Sequence, residues 1–135
     1  MKLLESEFAE KMTGRISLSF VDIFFFKNLA LSEIREGTIL TVDKMEYMTA
    51  TITEHMGPQN KFHYISNRVN AYNCVPTDLT QIHSLFEKVY SVNIVAYGDF
   101  GVQTAEFEKP FWPVEINIFK SLQEAFTRVN NTAAA

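Results

Sequence analysis

The 135-residue chain has little of several features that mark special classes of protein. It has one cysteine, Cys74, which excludes an internal disulfide and fits a reducing compartment, so we expect a cytoplasmic protein. Glycine (5) and proline (4) are too few for a collagen-like or low-complexity chain. The most apolar stretch, residues 20–26, is interrupted by Asp22, whereas a membrane-spanning helix needs about 20 apolar residues. We therefore expect no transmembrane segment.

Positive charge is also scarce. Twelve Lys and Arg stand against sixteen Asp and Glu, a formal net charge of −4. This sign opposes binding to a phosphate backbone, so we expect no nucleic-acid partner. Glu5 and Glu7 interrupt the start of the chain, where a signal peptide would need an apolar run, so we also expect no secretory peptide.

The residues that are abundant are those of a globular core. Hydrophobic residues make up 47% of the chain, and a chain of this length can bury roughly two-thirds of its unfolded surface without a metal or disulfide. We predict one domain over residues 1–135, with residues 130–135 forming a frayed, disordered tail because they are small and polar.

The order of apolar patterns predicts an α/β fold. Residues 16–35 alternate as short antiparallel strands with turns near Val21–Asp22 and Lys27–Asn28, and Thr41 is placed to cap a helix that Gly57 ends. Then come a strand at 62–65, a helix from Thr77 to Val89, a strand at 92–97, a short helix at 101–108 capped by Asp99, a strand at 114–118, and a helix opened by a Ser121–Glu124 capping box. Alternation of this kind predicts a mixed sheet whose later strands are parallel βαβ units, packed with about four helices.

Three stretches of the chain resemble the STAS-like domains of the SpoIIAA type, together with their SEC14-domain relatives. They are FHYISNRVNAYNCVPTDL at 62–79, NIVAYGDFG at 93–101 and PVEINIFKSLQEAF at 113–126. The resemblance spans residues 16–129 and implies a STAS-like mixed sheet and a regulatory role in protein–protein interaction. In anti-anti-sigma members of that group, a serine after the second core strand, at the start of a helix, is phosphorylated, and this controls partner binding. Here the matching stretch, 72–78, has no serine, and Thr77 supplies the hydroxyl either as a phosphoacceptor or as a helix cap.

The predicted polar loop, residues 66–78, is the leading candidate site. Parallel strands end at one edge of a sheet, so this loop and residues 98–101 are expected at a common end, where ligands usually bind. Hydrogen-bonding groups there could recognise an anion or a protein partner. Alternatively, the asparagines shape the turn while Arg68 pairs with a nearby carboxylate. The candidate binding residues are Asn67, Arg68, Asn70, Tyr72, Asn73, Thr77 and Asp99.

The residues offer little for catalysis. Cys74 is interpreted as a small buried side chain and not as a nucleophile, because no base is placed beside it. The three histidines lie on different predicted elements without metal-ligand spacing. We therefore expect no catalytic residue, no metal site and no cofactor.

Three consecutive phenylalanines, Phe24 to Phe26, must send rings to both faces of a strand. Either both faces are covered within one chain, or one face is open and is buried by a partner, in which case a two-fold homodimer is expected.

Two functions remain open at this stage. The first is a non-enzymatic interaction or regulatory module acting through the polar loop. The second, suggested by the SEC14-type relatives, is a carrier or sensor of a small apolar or amphipathic ligand. Its ligand cavity would be lined by residues such as Met48, Phe86 and Phe107.

Overall fold

A six-stranded sheet forms the centre of the molecule, for which a computed structural model describes residues 1–82 and 87–132. The order across the sheet is β1-β2-β3-β5-β7-β8, and two short strands, β4 and β6, pair separately. The strands are β1 (Gly14–Ser17), β2 (Val21–Phe26), β3 (Leu29–Ile34), β4 (Ile39–Leu40), β5 (Phe62–Asn67), β6 (Asn73–Cys74), β7 (Val89–Val95) and β8 (Ile116–Phe119).

The sheet is mixed, as predicted. Strands β1, β2 and β3 are antiparallel neighbours, and β3, β5, β7 and β8 run parallel. The Lys27–Asn28 turn is confirmed, with Asn28 in the left-handed region at φ 58°. The turn predicted near Val21–Asp22 is wrong because both residues belong to β2 and Val21 is fully buried. The first turn precedes them and is closed by a Leu18 N–H to Val21 carbonyl bond of 2.8 Å.

Three α-helices occupy the described part of the chain, and two of them begin where the cap residues predicted. Thr41 Oγ1 accepts the backbone N–H of Lys44 at 3.3 Å, and Gly57 ends that helix at φ 99°. Ser121 Oγ accepts the N–H of Glu124 at 3.2 Å. The helices are α1 (Val42–Met56), α2 (Gly98–Glu108) and α3 (Leu122–Thr132).

The helix predicted from Thr77 to Val89 is wrong at both ends. Pro76–Gln81 is a 3-10 helix, and Val89 is the first residue of β7. Leu79 and Ile82 are buried three residues apart, a spacing that a 3-10 turn satisfies as well as an α-helix does. Residues 83–86, which include Leu85 and Phe86, lie outside the described residues.

Two hydrophobic cores sandwich the sheet. One lies under α1 and contains Phe25; the other contains Phe24 and Phe26 and is closed by α3 together with Leu3 of the N-terminal 3-10 turns. The three phenylalanines are 1%, 0% and 6% exposed. The alternative with an open strand face is therefore wrong, since one chain covers both faces. The homodimer stays a prediction, but an open strand face no longer supports it.

The ends of the helices complete the fold. Helix α3 continues to Thr132, so residues 130–132 of the predicted tail are helical, and residues 133–135 lie outside the described residues. Every helix in the described ranges is too short or too polar to span a bilayer.

Candidate functional site

A groove opens at the end of the sheet where the parallel strands finish. The polar loop follows β5 and the first turn of α2 follows β7, so the two segments lie at a common end, as predicted. The groove has a volume of about 820 Å³. It is lined by residues 36 and 37 after β3, residues 68–74 and 76 of the polar loop, and residues 97–101, 104, 107 and 108 of α2 and its approach.

Hydrogen bonds to the end of β3 and to the segment that follows it hold the polar loop in place. Within it, β6 pairs in parallel with β4, and the Asn73 N–H donates to the Thr38 carbonyl at 3.0 Å. Asn70 Nδ2 donates to the Ile34 carbonyl at 3.0 Å. Asn70 therefore lines the groove while its amide N–H holds the loop in shape, the role the alternative interpretation gave to the asparagines.

Arg68 forms a bidentate ion pair with Glu108 across the groove floor. Its Nη1 and Nη2 atoms lie 3.0 and 2.6 Å from the two carboxylate oxygens, and the side chains are 13% and 5% exposed. The guanidinium carbon lies 5.8 Å from the centre of the Tyr72 ring. Burial lowers the pKa of Arg68, but Tyr72 and Glu108 outweigh it and raise that pKa above its usual range. Arg68 is therefore a neutralised cation, as the carboxylate-pairing alternative predicted.

A small cavity lies beneath Arg68, Tyr72 and Cys74. Its volume is about 30 Å³, room for one water-sized group. Tyr64 also lines it, bonded to Ser32 Oγ at 2.5 Å, and burial raises the pKa of Tyr64 to about 12.

Cys74 is half-buried where the groove meets this cavity. Burial, followed by the negative charge of Glu108, raises the pKa of its thiol. A thiol in this setting stays protonated at neutral pH. Cys74 was predicted as a buried side chain, whereas it is only half-buried.

Asn67 does not line the groove, although it was predicted as a binding residue. It is 2% exposed and faces the second core, where Nδ2 donates to Glu33 Oε2 at 2.8 Å and to the Met1 carbonyl at 3.0 Å. Tyr97 Oη donates to Asn67 Oδ1 at 2.7 Å, and burial together with Glu33 raises the pKa of Tyr97 to about 12. Asn67 thus anchors the start of the chain.

The capping roles given to Thr77 and Asp99 are wrong. Thr77 lies inside its 3-10 helix, whose N-cap is Val75; it is exposed and does not line the groove. Helix α2 begins at Gly98, with Tyr97 as N-cap and no side-chain cap bond. Gly98 makes the sharp entry at φ 71° and starts the helix three residues before the predicted position. Asp99 consequently sits in the first turn, exposed, on the groove wall.

Sequence reasoning missed the main apolar feature of the groove wall. Phe100 and Phe107 are 82% and 66% exposed, and Thr104 lies between them. Spacings of four and three residues place these side chains on one helical face. That spacing is the signal that could have identified the wall, had α2 been predicted from Gly98.

The residues suggested for a carrier do not converge on one cavity. Met48 lines the small inner cavity and Phe107 lines the open groove, while Phe86 lies outside the described residues.

The described side chains also hold no cluster of three or more His, Cys, Asp or Glu that could bind a metal ion. The chain matches no protein-family model, and neither curated proteins nor solved structures show significant similarity to it.

Proposed function

We propose that this chain is a non-enzymatic, STAS-like regulatory module of the cytoplasm that recognises a protein partner through the groove. The kinship is supported by the three resembling stretches and by a sheet that begins antiparallel and continues as parallel strands joined by crossovers. The single observation that carries the function is the groove itself, which unites the polar loop with the exposed face of α2.

The groove favours recognition because its walls are formed before a partner arrives. Backbone pairing of β4 with β6 and the Asn70 bond to Ile34 fix the polar loop, and the Arg68–Glu108 pair ties that loop to α2. A surface fixed in advance loses less conformational entropy on binding.

A protein partner is favoured over a free anion. An anion at Arg68 would have to displace Glu108 from a bidentate bond whose shorter arm is 2.6 Å. Glu36 and Asp99 would repel it further. The charge that predicted anion binding is therefore already paired within the chain through Nη1 and Nη2, and of the guanidinium nitrogens of Arg68 only Nε has no hydrogen-bond partner among the described residues.

A protein partner is also favoured over a small apolar ligand. Ligand pockets are typically about 300–1,000 Å³ and enclose most of their ligand, whereas the cavity beneath Met48 measures about 30 Å³. The groove is large enough at about 820 Å³, but it is an open cleft with exposed walls.

Photo-crosslinking in the native host tests this function. A photoreactive amino acid at Asn73, exposed in the groove, is expected to give a protein adduct. The same photoreactive residue at Tyr47, which is also exposed but lies on α1 outside the groove, is the control and is expected to give none. Equal adduct patterns at the two positions would contradict a partner site in the groove.

A further inference from the structure

The charges in the groove do not cancel. Four charged side chains line it, and two of them, Arg68 and Glu108, neutralise each other. The other two, Glu36 and Asp99, are exposed and form no ion pair within the described part of the chain. Among the described residues, the groove therefore presents two uncompensated negative charges and no available positive one.

The same groove presents apolar surface that one chain leaves uncovered. The rings of Phe100 and Phe107 stand on one face of α2, almost two turns apart. Large aromatic side chains in such positions are typical anchors of protein interfaces, and their faces attract guanidinium and ammonium groups.

We propose that the groove binds a basic segment of a partner protein, one that carries Lys or Arg together with at least one large apolar side chain. The cationic groups would meet Glu36 and Asp99, and the apolar side chain would pack between Phe100 and Phe107. This inference rests on the proposed function and specifies the chemistry of the partner. Charge complementarity of this kind steers association and selects against acidic partners.

The charges also weigh against two other occupants. A second copy docked groove to groove in a two-fold interface would place Glu36 and Asp99 near their own equivalents, because each patch meets itself or its symmetry mate. An anionic lipid headgroup would meet the same repulsion. A basic peptide segment is the occupant that satisfies both the charge and the exposed rings.

Selection from a random 12-residue peptide phage library tests the proposal with the whole protein. Enriched peptides are expected to combine net positive charge with an aromatic or large aliphatic residue. For a synthetic enriched peptide, Phe100→Ser should weaken binding at least about tenfold, and Asp99→Asn should weaken it about threefold and reduce its salt dependence. Because both side chains are exposed, both variants are expected to fold normally, and circular dichroism checks this.

Matched variants outside the groove serve as controls. Tyr47→Ser removes an aromatic ring that is 61% exposed, and Glu54→Gln removes an exposed carboxylate, both on α1. Neither should change the affinity for the peptide.

The possible outcomes separate the two proposals. Enriched peptides that are acidic or neutral, yet lose affinity in Phe100→Ser, would overturn the basic-segment inference and leave the groove as a partner site. A library that yields no peptide sensitive to Phe100→Ser would overturn this inference, and equal crosslinking at Asn73 and Tyr47 would separately refute the proposed function. A dimer in light scattering that Phe100→Ser dissociates, or a lipid retained in native mass spectrometry and lost in Phe107→Ser, would assign the groove to a different occupant.

Discussion

At the scale of single residues, the Arg68–Glu108 pair is the most consequential contact of the site. Arg68→Ala leaves a nearly buried carboxylate without its cation, and we expect a loss of about 3 kcal/mol in the free energy of unfolding, measured by urea denaturation. Arg68→Leu combined with Glu108→Leu should cost less than Arg68→Ala alone, because no unpaired charge remains.

A surface pair supplies the control for this prediction. Arg35 lies 2.9 Å from Asp22 with 46% of its side chain exposed, so Arg35→Ala should cost under about 1 kcal/mol. If Arg68→Ala cost no more than Arg35→Ala, the Arg68–Glu108 pair would not be the brace described here.

His63 gives the fold a dependence on pH. It is 4% exposed, its Nδ1 lies 2.8 Å from Ser91 Oγ, and burial lowers its pKa below 6.5. Because the unfolded chain takes up the proton at a higher pH than the folded chain does, stability is fully present above about pH 6.5 and falls as the pH drops through the folded pKa. Thermal unfolding should therefore show a lower Tm at pH 5.5 than at pH 7.5.

Replacing His63 isolates its contribution to that pH dependence. His63→Asn keeps a polar group near Ser91 without a titratable ring and should flatten the Tm profile between pH 7.5 and 5.5. Asn73→Ala, which changes an exposed residue without a titratable group, should leave the profile unchanged. An unchanged slope in His63→Asn would show that other groups cause the pH dependence.

The site residues could be predicted by type but not by orientation. The position of the loop at the strand ends was predicted correctly. Asn67, the last residue of β5, and Arg68, which follows it, nevertheless point to opposite faces of the sheet. Asn67 points toward Met1 and Glu33, and Arg68 points toward Glu108. Partners 30 or more residues away decide these directions, and no local pattern encodes them.

At the scale of elements, Asn67 ties the N-terminal 3-10 turns to the sheet. Asn67→Ala removes the bonds to Glu33, Met1 and Tyr97, and we expect a loss of about 2 kcal/mol because buried partners remain unsatisfied. Hydrogen exchange of residues 1–11 should accelerate in this variant. Asn73→Ala, at an exposed position, should stay within about 0.5 kcal/mol of the original protein and leave that exchange unchanged.

Helices with distinct caps were predictable, and those without were not. Thr41 and Ser121 accept the backbone bonds that their positions indicate, so α1 and α3 begin as expected. Helix α2 starts without a side-chain cap, and its start depends on the left-handed conformation of Gly98, which the sequence pattern does not specify. The exposed face of α2 was therefore missed, and with it the aromatic wall of the groove.

At the scale of the whole molecule, the antiparallel and parallel strands could be predicted from the hydrophobic periodicity. The segments that cover each face of the sheet could not. Phe24, Phe25 and Phe26 show that both faces are apolar, but only the tertiary structure brings Phe8 and Phe126 together over one of them, stacked with ring centres 4.1 Å apart. Segments near the two ends of the chain therefore cover the face that a partner was suggested to bury.

Two cores that share one sheet should unfold as one unit. Phe126→Ala weakens only the second core, with an expected loss of about 3–5 kcal/mol. Trp112, the only tryptophan, packs against the first core, so its fluorescence reports on the opposite side of the sheet. We expect fluorescence and far-UV circular dichroism to move to the same lower denaturation midpoint in Phe126→Ala, since strands β2, β3, β5 and β7 contribute side chains to both cores. Two separated transitions in this variant would show that the layers fold independently.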